Sequence, residues 1–363
     1  MNTKQIGIGI IGTGFARKVQ IPAFQKCPTA RLISVSSASS TRAKDTADEF
    51  GIEHHSGDWM ETVIHPDVDI VCITTPPNLH FEMAIAAIKA GKHVLAEKPM
   101  AMSVSEAREM TEFAEAMGNI ALIDHELRFL DGRKKAFDLI RNGDIGEVIH
   151  ARCDFRAPHR GDPSIAWNWW SDSQQGGGAL GAIGSHCIDS LNWLLGGEPL
   201  NVSGQLQTHV KERTDSAGII REVTSDDEVN MLLRYATALG ADVTAAISVS
   251  MCEYPRYLNR VEIFGTKGAI RIESRGELFI GSTESSDWKE IEVDLGEKIP
   301  GVPDTGFARG FLKLAPVLCD ALSRGESVVP GAASFREGLS VQKVLDACRI
   351  SAAEGVTVSL GGQ

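Results

Sequence analysis

The chain has no excess of positive charge, no long apolar run and no closely spaced cysteine pair, and each absence removes a class of function. Its 36 Lys and Arg stand against 48 Asp and Glu, a net charge of -12 at pH 7. Such a surface repels phosphodiester backbones and anionic lipid, so neither nucleic acid nor membrane is an expected partner, and the acidity reads as solubility. No window approaches the ~20 apolar residues that cross a bilayer. The seven cysteines, at 27, 72, 153, 187, 252, 319 and 348, are odd in number and never spaced Cys-x-x-Cys, which argues for reduced thiols in a cytosol. A His-Glu-x-x-His run is missing too, and no metal site is expected. The chain start turns apolar only at Ile6 and runs straight into a glycine turn. It reads as a first strand, not a signal peptide, and a cytoplasmic protein is expected.

What is present suffices for real cores. With 363 residues, 43% of them hydrophobic, the chain exceeds what one core usually organises, and roughly 150 residues per domain points to two domains. From residue 6 to 123, short β-branched runs alternate with longer helical stretches, the pattern of βαβ units and a parallel sheet. Strands are expected at 6–11, 31–36, 70–74, 93–96 and 120–123, with helices near 17–24, 41–50, 80–90 and 106–117. Ser103 and Glu106 predict a capping box at the start of the last of these. Beyond a helix ending at Asn142-Gly143, longer alternating runs at 148–155, 202–210, 228–235, 243–251 and 261–264 predict an α+β domain with a large, mainly antiparallel open sheet. The expected division is 1–124 and 125–363, and the C-terminal helix is a candidate to pack back on the first domain.

The run Gly12-Thr13-Gly14-Phe15-Ala16 follows a strand and opens a helix, the setting of a dinucleotide fingerprint. Gly12 would allow the tight turn, Gly14 would let backbone N–H groups approach a pyrophosphate, and the helix N-terminus would favour its charge. The sixth position of the fingerprint is Arg17 instead of Gly or Ala, so an ordinary strand-to-helix turn is the alternative. Where an acidic residue would bind a ribose 2'-hydroxyl, strand two ends in serines. Ser37, Ser39, Ser40 and Arg42 could hydrogen-bond a 2'-phosphate, which leans the cofactor from NAD toward NADP. Capping of the next helix by the serines is the plainer alternative.

Two strand ends break into prolines, at Thr74-Thr75-Pro76-Pro77-Asn78-Leu79-His80 and at Ala96-Glu97-Lys98-Pro99. With the Gly-Thr-Gly turn, and with Leu127-Arg128-Phe129, Gly143-Asp144-Ile145-Gly146, Gly176-Gly177-Gly178 and Gly184-Ser185-His186 in the same order, the chain resembles the Gfo/Idh/MocA oxidoreductases over nearly its whole length. The resemblance implies an N-terminal Rossmann domain, an NAD(P) cofactor and a sugar-like substrate. It implies that Lys98 is catalytic beside the nicotinamide, where an ammonium can polarise a reacting hydroxyl or relay its proton. Thr75, Pro76, Pro77, Asn78 and His80 resemble the loop against the nicotinamide half, and Glu97 would belong to the same site. One departure stands out. The family pairs an Asp with the His four residues on, and here His186 remains while the Asp position is Ala182. His186 can still accept a proton, since imidazole titrates near neutrality; a buried structural histidine is the alternative.

Candidates for substrate contact are Asp124, His125, Glu126 and Arg128, then Trp167, Asn168, Trp169 and Trp170, whose rings suit the apolar faces of a sugar. His150, Arg152, Asp154 and Arg156 alternate on one strand and predict a solvated or subunit-facing sheet surface. The expected activity is hydride transfer between NAD(P) and a CH-OH carbon of a sugar or polyol, by a homodimer or homotetramer. Two alternatives remain open, a lyase or hydrolase that retains its cofactor and oxidises transiently, and a non-catalytic NADP(H)-binding sensor suggested by Ala182.

Overall fold

Strand β1, Ile6–Ile11, is buried at every position, as a strand covered on both faces must be. In the computed structural model, which describes residues 4–361, it is the centre of a parallel sheet. Its companions are β2 (Ala30–Ser36), β3 (His54–Ser56), β4 (Ile70–Ile73), β5 (His93–Ala96) and β6 (Ala121–Ile123). The order is β3-β2-β1-β4-β5-β6, with the short strand Ala333–Ser334 added antiparallel at the β6 edge. This is the doubly wound order whose switch point lies between β1 and β4. Successive side chains serve opposite cores: Ile70 and Cys72 join Phe24, Phe311 and Leu318 on one face, while Val71 and Ile73 join Met83, Ala87 and Met110 on the other.

The chain divides into two compact units, residues 1–129 with 296–339, and residues 130–295 with 340–363. The sequence boundary at 124/125 therefore lacks a return crossing. Residues 296–339 rejoin the first unit because the helix Gly306–Ser323 buries Phe311, Leu314 and Leu318 in its core and Ala333 pairs with Ile123 of β6.

The second unit is built on nine strands in the order Lys289–Ile291, Leu278–Ser282, Gly268–Ile272, Leu258–Gly265, Val148–Arg156, Gly240–Ser250, Glu228–Thr237, Pro199–Gln207 and Val358–Ser359. All its pairings are antiparallel except Val148–Arg156 with Gly240–Ser250. Val148–Arg156 shows why one face is covered: Ala151, Cys153 and Phe155 are buried while Ile149 and Arg152 are exposed. The buried side is tied to the helix Ser185–Leu195 by Tyr235, whose hydroxyl donates to Asn192 Oδ1 at 3.0 Å. On the other side Arg156 pairs with Glu253 at 2.5 Å, so the charged alternation forms the open face, as expected. All seven cysteines are free.

Candidate active site

In the first unit the expected residues collect at the carboxyl ends of adjacent parallel strands. The turn after β1 is possible only for glycine at position 12: its φ is +97°, and a Cβ there would lie 2.6 Å from the Thr74 carbonyl oxygen. The Thr74 hydroxyl donates to the carbonyls of Ile11 and Gly12 at 3.0 and 2.9 Å, and the Gly12 N–H reaches Ser36 O at 2.8 Å. The ends of β1, β2 and β4 are thus locked side by side. At Gly14 a Cβ would meet nothing within 4 Å, so the backbone between Gly12 and the helical turn Ala16–Gln20 faces open space. A tight turn, an uncovered glycine and a helix start at the switch point fit a dinucleotide pyrophosphate. Thr13, Phe15 and Ala16 belong to this turn. That first helical turn is π-type, a geometry frequent at functional sites.

Ser37, at the end of β2, is nearly buried and its N–H donates to Ser56 O at 3.2 Å. Ser39 caps the next helix, accepting from Arg42 N at 3.3 Å; the Arg42 side chain is exposed. Of the two readings of the serine run, capping is seen at Ser39, while Ser37 and Arg42 flank the strand end.

After β4, Thr75, Pro76, Pro77 and Asn78 form a loop and a single 3-10 turn leading into the helix His80–Lys89. His80 is fully buried, with Nε2 2.9 Å from Thr75 O and Nδ1 3.0 Å from Pro99 O. Both ring nitrogens face carbonyl oxygens, so His80 straps the β4 loop to the turn that carries Lys98. Burial lowers its pKa, opposed by those carbonyls. Lys98 and Glu97 follow β5 and are half-buried. The ladder continues one step past the strands: Glu97 N donates to Ile73 O at 2.9 Å and Asp124 N to Ala96 O at 2.8 Å. Glu97 and Asp124 consequently stand beside each other, joined by Gln20, whose Nε2 is 3.0 Å from Asp124 Oδ2 and 3.4 Å from Glu97 Oε1. His125, Glu126 and Arg128 are buried, and Arg128 pairs with Glu337 at 2.6 Å.

The second unit holds the remaining candidates. His186 is buried in the helix Ser185–Leu195, which continues the π-type turn Leu180–Gly184. That turn is anchored by Asp226: its Oδ2 accepts from Leu180 N at 2.7 Å and its carbonyl from Ala179 N at 2.9 Å. Gly178, at φ +114°, is required because a Cβ would sit 2.5 Å from Asp226 Oδ1. Burial pushes the Asp226 carboxyl up to about 6, against the Leu180 N–H that favours its charge. Ser225 Oγ donates to Trp170 O at 2.8 Å, so this strand approach braces both the glycine run and the tryptophan segment. Trp167 spends its indole N–H on Glu222 O at 2.9 Å and lies under Arg221. Trp170 lies under Arg160, 4.1 Å from the ring centroid, and Trp169 is half-buried. Asp189 is buried one turn beyond His186.

Gln20 and Asp226 lie outside every motif that the sequence presents. Gln20 carried a signal, a polar residue on the face that also buries Ala16 and Val19. Asp226 carried none, since it reaches Leu180 across 46 residues. Among the described residues no cluster of metal ligands occurs and no helix is long and apolar enough to cross a membrane.

Comparison with known proteins agrees with this geometry. Residues 6–125 match the Gfo/Idh/MocA oxidoreductase family, NAD-binding Rossmann fold, and residues 134–271 match the family's C-terminal domain. An uncharacterized oxidoreductase of Synechocystis is 32% identical, covering 93% of this chain and 92% of that protein. Levoglucosan dehydrogenase of Pseudarthrobacter phenanthrenivorans is 29% identical, covering 97% of each. A solved levoglucosan dehydrogenase in complex with NADH and levoglucosan superposes with a TM-score of 0.87 at 28% identity, over 99% of this chain and 100% of that one. The aldose-aldose oxidoreductase of Caulobacter crescentus, complexed with glycerol, gives 0.78 at 26% identity over 98% and 100%. With both halves matched and the Gly-Thr-Gly turn, the Thr75–Asn78 loop and Lys98 at the ends of adjacent strands, the chain belongs to the Gfo/Idh/MocA oxidoreductase family, with an NAD-binding Rossmann domain followed by a sheet-rich C-terminal domain.

Proposed function

We propose that the protein is a dehydrogenase or reductase acting on a CH-OH carbon of a sugar, polyol or sugar derivative with NAD(P), NADP being favoured. The observation that carries this is the gathering of the open Gly14 turn, the Thr75–Asn78 loop and the Glu97–Lys98 strand end at the carboxyl ends of three adjacent strands of one sheet. The residues from Gly12 to Ala16 would hold the pyrophosphate, Ser37, Ser39 and Arg42 the adenosine ribose, and Thr75 to Asn78 with Glu97 the nicotinamide half, with His80 fixing their loop. Bound nicotinamide would supply the hydride chemistry. Lys98 would polarise the substrate oxygen and His186 would take its proton. His125, Trp167 and Trp169 would contact the sugar, with Arg128 holding the segment that presents His125. Relatives that carry NADH with levoglucosan or L-sorbose support the substrate class.

The test is a cofactor-linked absorbance assay against a library of polyols, sugars and anhydrosugars, run with NAD and NADP separately. Turnover with at least one polyol or sugar, faster with NADP, is expected. Binding of NADPH without hydride transfer to any of them would favour the sensor reading that Ala182 suggests. We propose further that the protein is cytoplasmic and a homodimer or homotetramer joined by the open sheet face, where Ile149 and Leu232 are exposed; light scattering reads the mass directly.

A further inference from the structure

We propose that Glu97 and Asp124 form a carboxyl pair that shares one proton, carried by Asp124 and donated to Glu97, and that Asp124 with Gln20 thereby positions Glu97 beside Lys98. The inference rests on the reading of Glu97 as part of the cofactor site, but the pair itself stands on geometry. Ala96 and Ile123 are register partners in β5 and β6, so residues 97 and 124 extend from neighbouring strands about 4.8 Å apart. Asp124 and Gln20 are completely buried. Asp124 Oδ2 takes a hydrogen bond from Gln20 Nε2 at 3.0 Å, while Oδ1 meets no N–H or O–H donor. The two carboxyl side chains are nevertheless within hydrogen-bonding reach of each other.

Two carboxyl groups held at one amide nitrogen, Asp124 completely buried and Glu97 half-buried, cannot both stay ionised without a cost that their surroundings do not return. One proton resolves the conflict, because the acid then donates to the carboxylate and the Gln20 amide N–H serves both. The surroundings place that proton on Asp124. Burial raises its carboxyl well above the ordinary range, and the charges of Glu126 and Glu97 raise it further against Gln20 and Lys98. Glu97 is also raised by burial, but Lys98 is the strongest influence holding it ionised. The other groups facing the pair are the Cys72 thiol of β4 and, from the chain following Asp124, Glu126, with His125 next to Asp124 in sequence. On the helix Gly306–Ser323, which closes on Glu126 at Gly310, Arg309 is engaged by Asp304 at 2.7 Å.

The proton is bound more tightly in the folded chain than in the unfolded one. Its contribution to stability is therefore full below the unfolded carboxyl value and is lost as pH rises from there through the raised folded value. The test uses the full chain. Infrared spectra of wild type at neutral pH should contain the C=O band of a protonated, buried carboxylic acid. Asp124→Asn should lose that band and flatten the fall in melting temperature as pH rises above the ordinary carboxyl range. Glu97→Gln should keep the band, since Asp124 retains its proton; a band lost in Glu97→Gln but kept in Asp124→Asn would overturn the assignment. No such band in wild type would overturn the pair outright. For the positioning role, the Asn amide can donate where the acid does. Asp124→Asn should hold NADH more tightly than Asp124→Ala by about tenfold, the worth of one hydrogen bond to a charged group. Equal weakening would refute positioning. A wild type that bound no NADH would sink the cofactor reading while the infrared result still decided the pair.

Discussion

Substituting alanine at Gly12 and at Gly14 separates the two jobs of the first turn, because the structure gives the added methyl opposite surroundings at positions two residues apart. At position 12 it would lie 2.6 Å from Thr74 O, 2.8 Å from Thr74 C and 2.8 Å from Thr74 Oγ1, where ordinary contact begins near 3.4 Å. Those atoms are backbone and a hydroxyl already bonded to Ile11 and Gly12, so relief requires moving β1 away from β4. The left-handed backbone alone costs an L-residue about 1–2 kcal/mol. Forced displacement of a packed neighbour adds about 1–3 kcal/mol. A total of about 2–5 kcal/mol corresponds to a melting temperature lower by roughly 5–15 °C for a domain of this size. At position 14 the methyl meets nothing, and the fold should change by less than about 0.5 kcal/mol. The same methyl would, however, stand where backbone N–H groups must approach a pyrophosphate. Thermal unfolding without ligand, followed by fluorescence titration with NADH, reads both quantities. Gly12→Ala should melt early. Gly14→Ala should melt with wild type yet bind NADH at least tenfold more weakly, about the worth of one good phosphate hydrogen bond. Equal melting temperatures for wild type and Gly12→Ala, or full NADH affinity in Gly14→Ala, would refute the geometry assigned to the turn.

Three other outcomes are expected. Lys98→Met should keep cofactor affinity while lowering turnover by about 10²- to 10⁴-fold, with His186→Ala giving a smaller loss; steady-state rates with the best substrate check this, and a wild-type rate for Lys98→Met would remove it from the mechanism. Ser37→Asp should weaken NADP relative to NAD, because a carboxylate there repels a 2'-phosphate and accepts from ribose hydroxyls; unchanged selectivity in binding titrations would misplace the adenosine pocket. Asp226 releases its proton at about 6 in the fold and near 4 when unfolded, so its contribution to stability is present below 4 and lost as pH rises through 6. Asp226→Asn, which can still accept from Leu180, should show a smaller fall in melting temperature between those pH values than wild type.

The parts of the fold legible in the sequence were short apolar runs and caps set between turn residues. β1 and β4 are short, isoleucine-rich runs buried at every position, and the capping serine at 103 does accept from Glu106 N at 3.2 Å. Glu106 Oε2 in turn accepts from Met102 N at 2.9 Å, one residue before the capping position. β3 was not legible, since His54-His55-Ser56 has no apolar signal and owes its place to pairing with β2. The π-type turns at Ala16–Gln20 and Leu180–Gly184 leave no mark in hydrophobic spacing either. In the site, Lys98 and the glycine turn were readable because short motifs fix them locally. The Gln20 bridge was not, because a hydrogen bond spanning 104 residues is decided by tertiary packing.

The strand Ala333–Ser334 and the helix Gly306–Ser323 give the first unit a dependence on time. One long helix of the layer over one face of its parallel sheet, with the cover for the exposed edge of β6, is encoded after residues 130–295. A ribosome that has released residues 1–129 has made every parallel strand but neither the helix that completes this core nor the edge guard, and an uncovered sheet edge is a template for unwanted pairing. The nascent chain must hold this half-built sheet, or delay its closure, until the second unit has emerged. The nucleotide-binding half therefore cannot be excised as a contiguous N-terminal piece, and any fusion, truncation or circular permutation must keep residues 296–339 in covalent reach of β6.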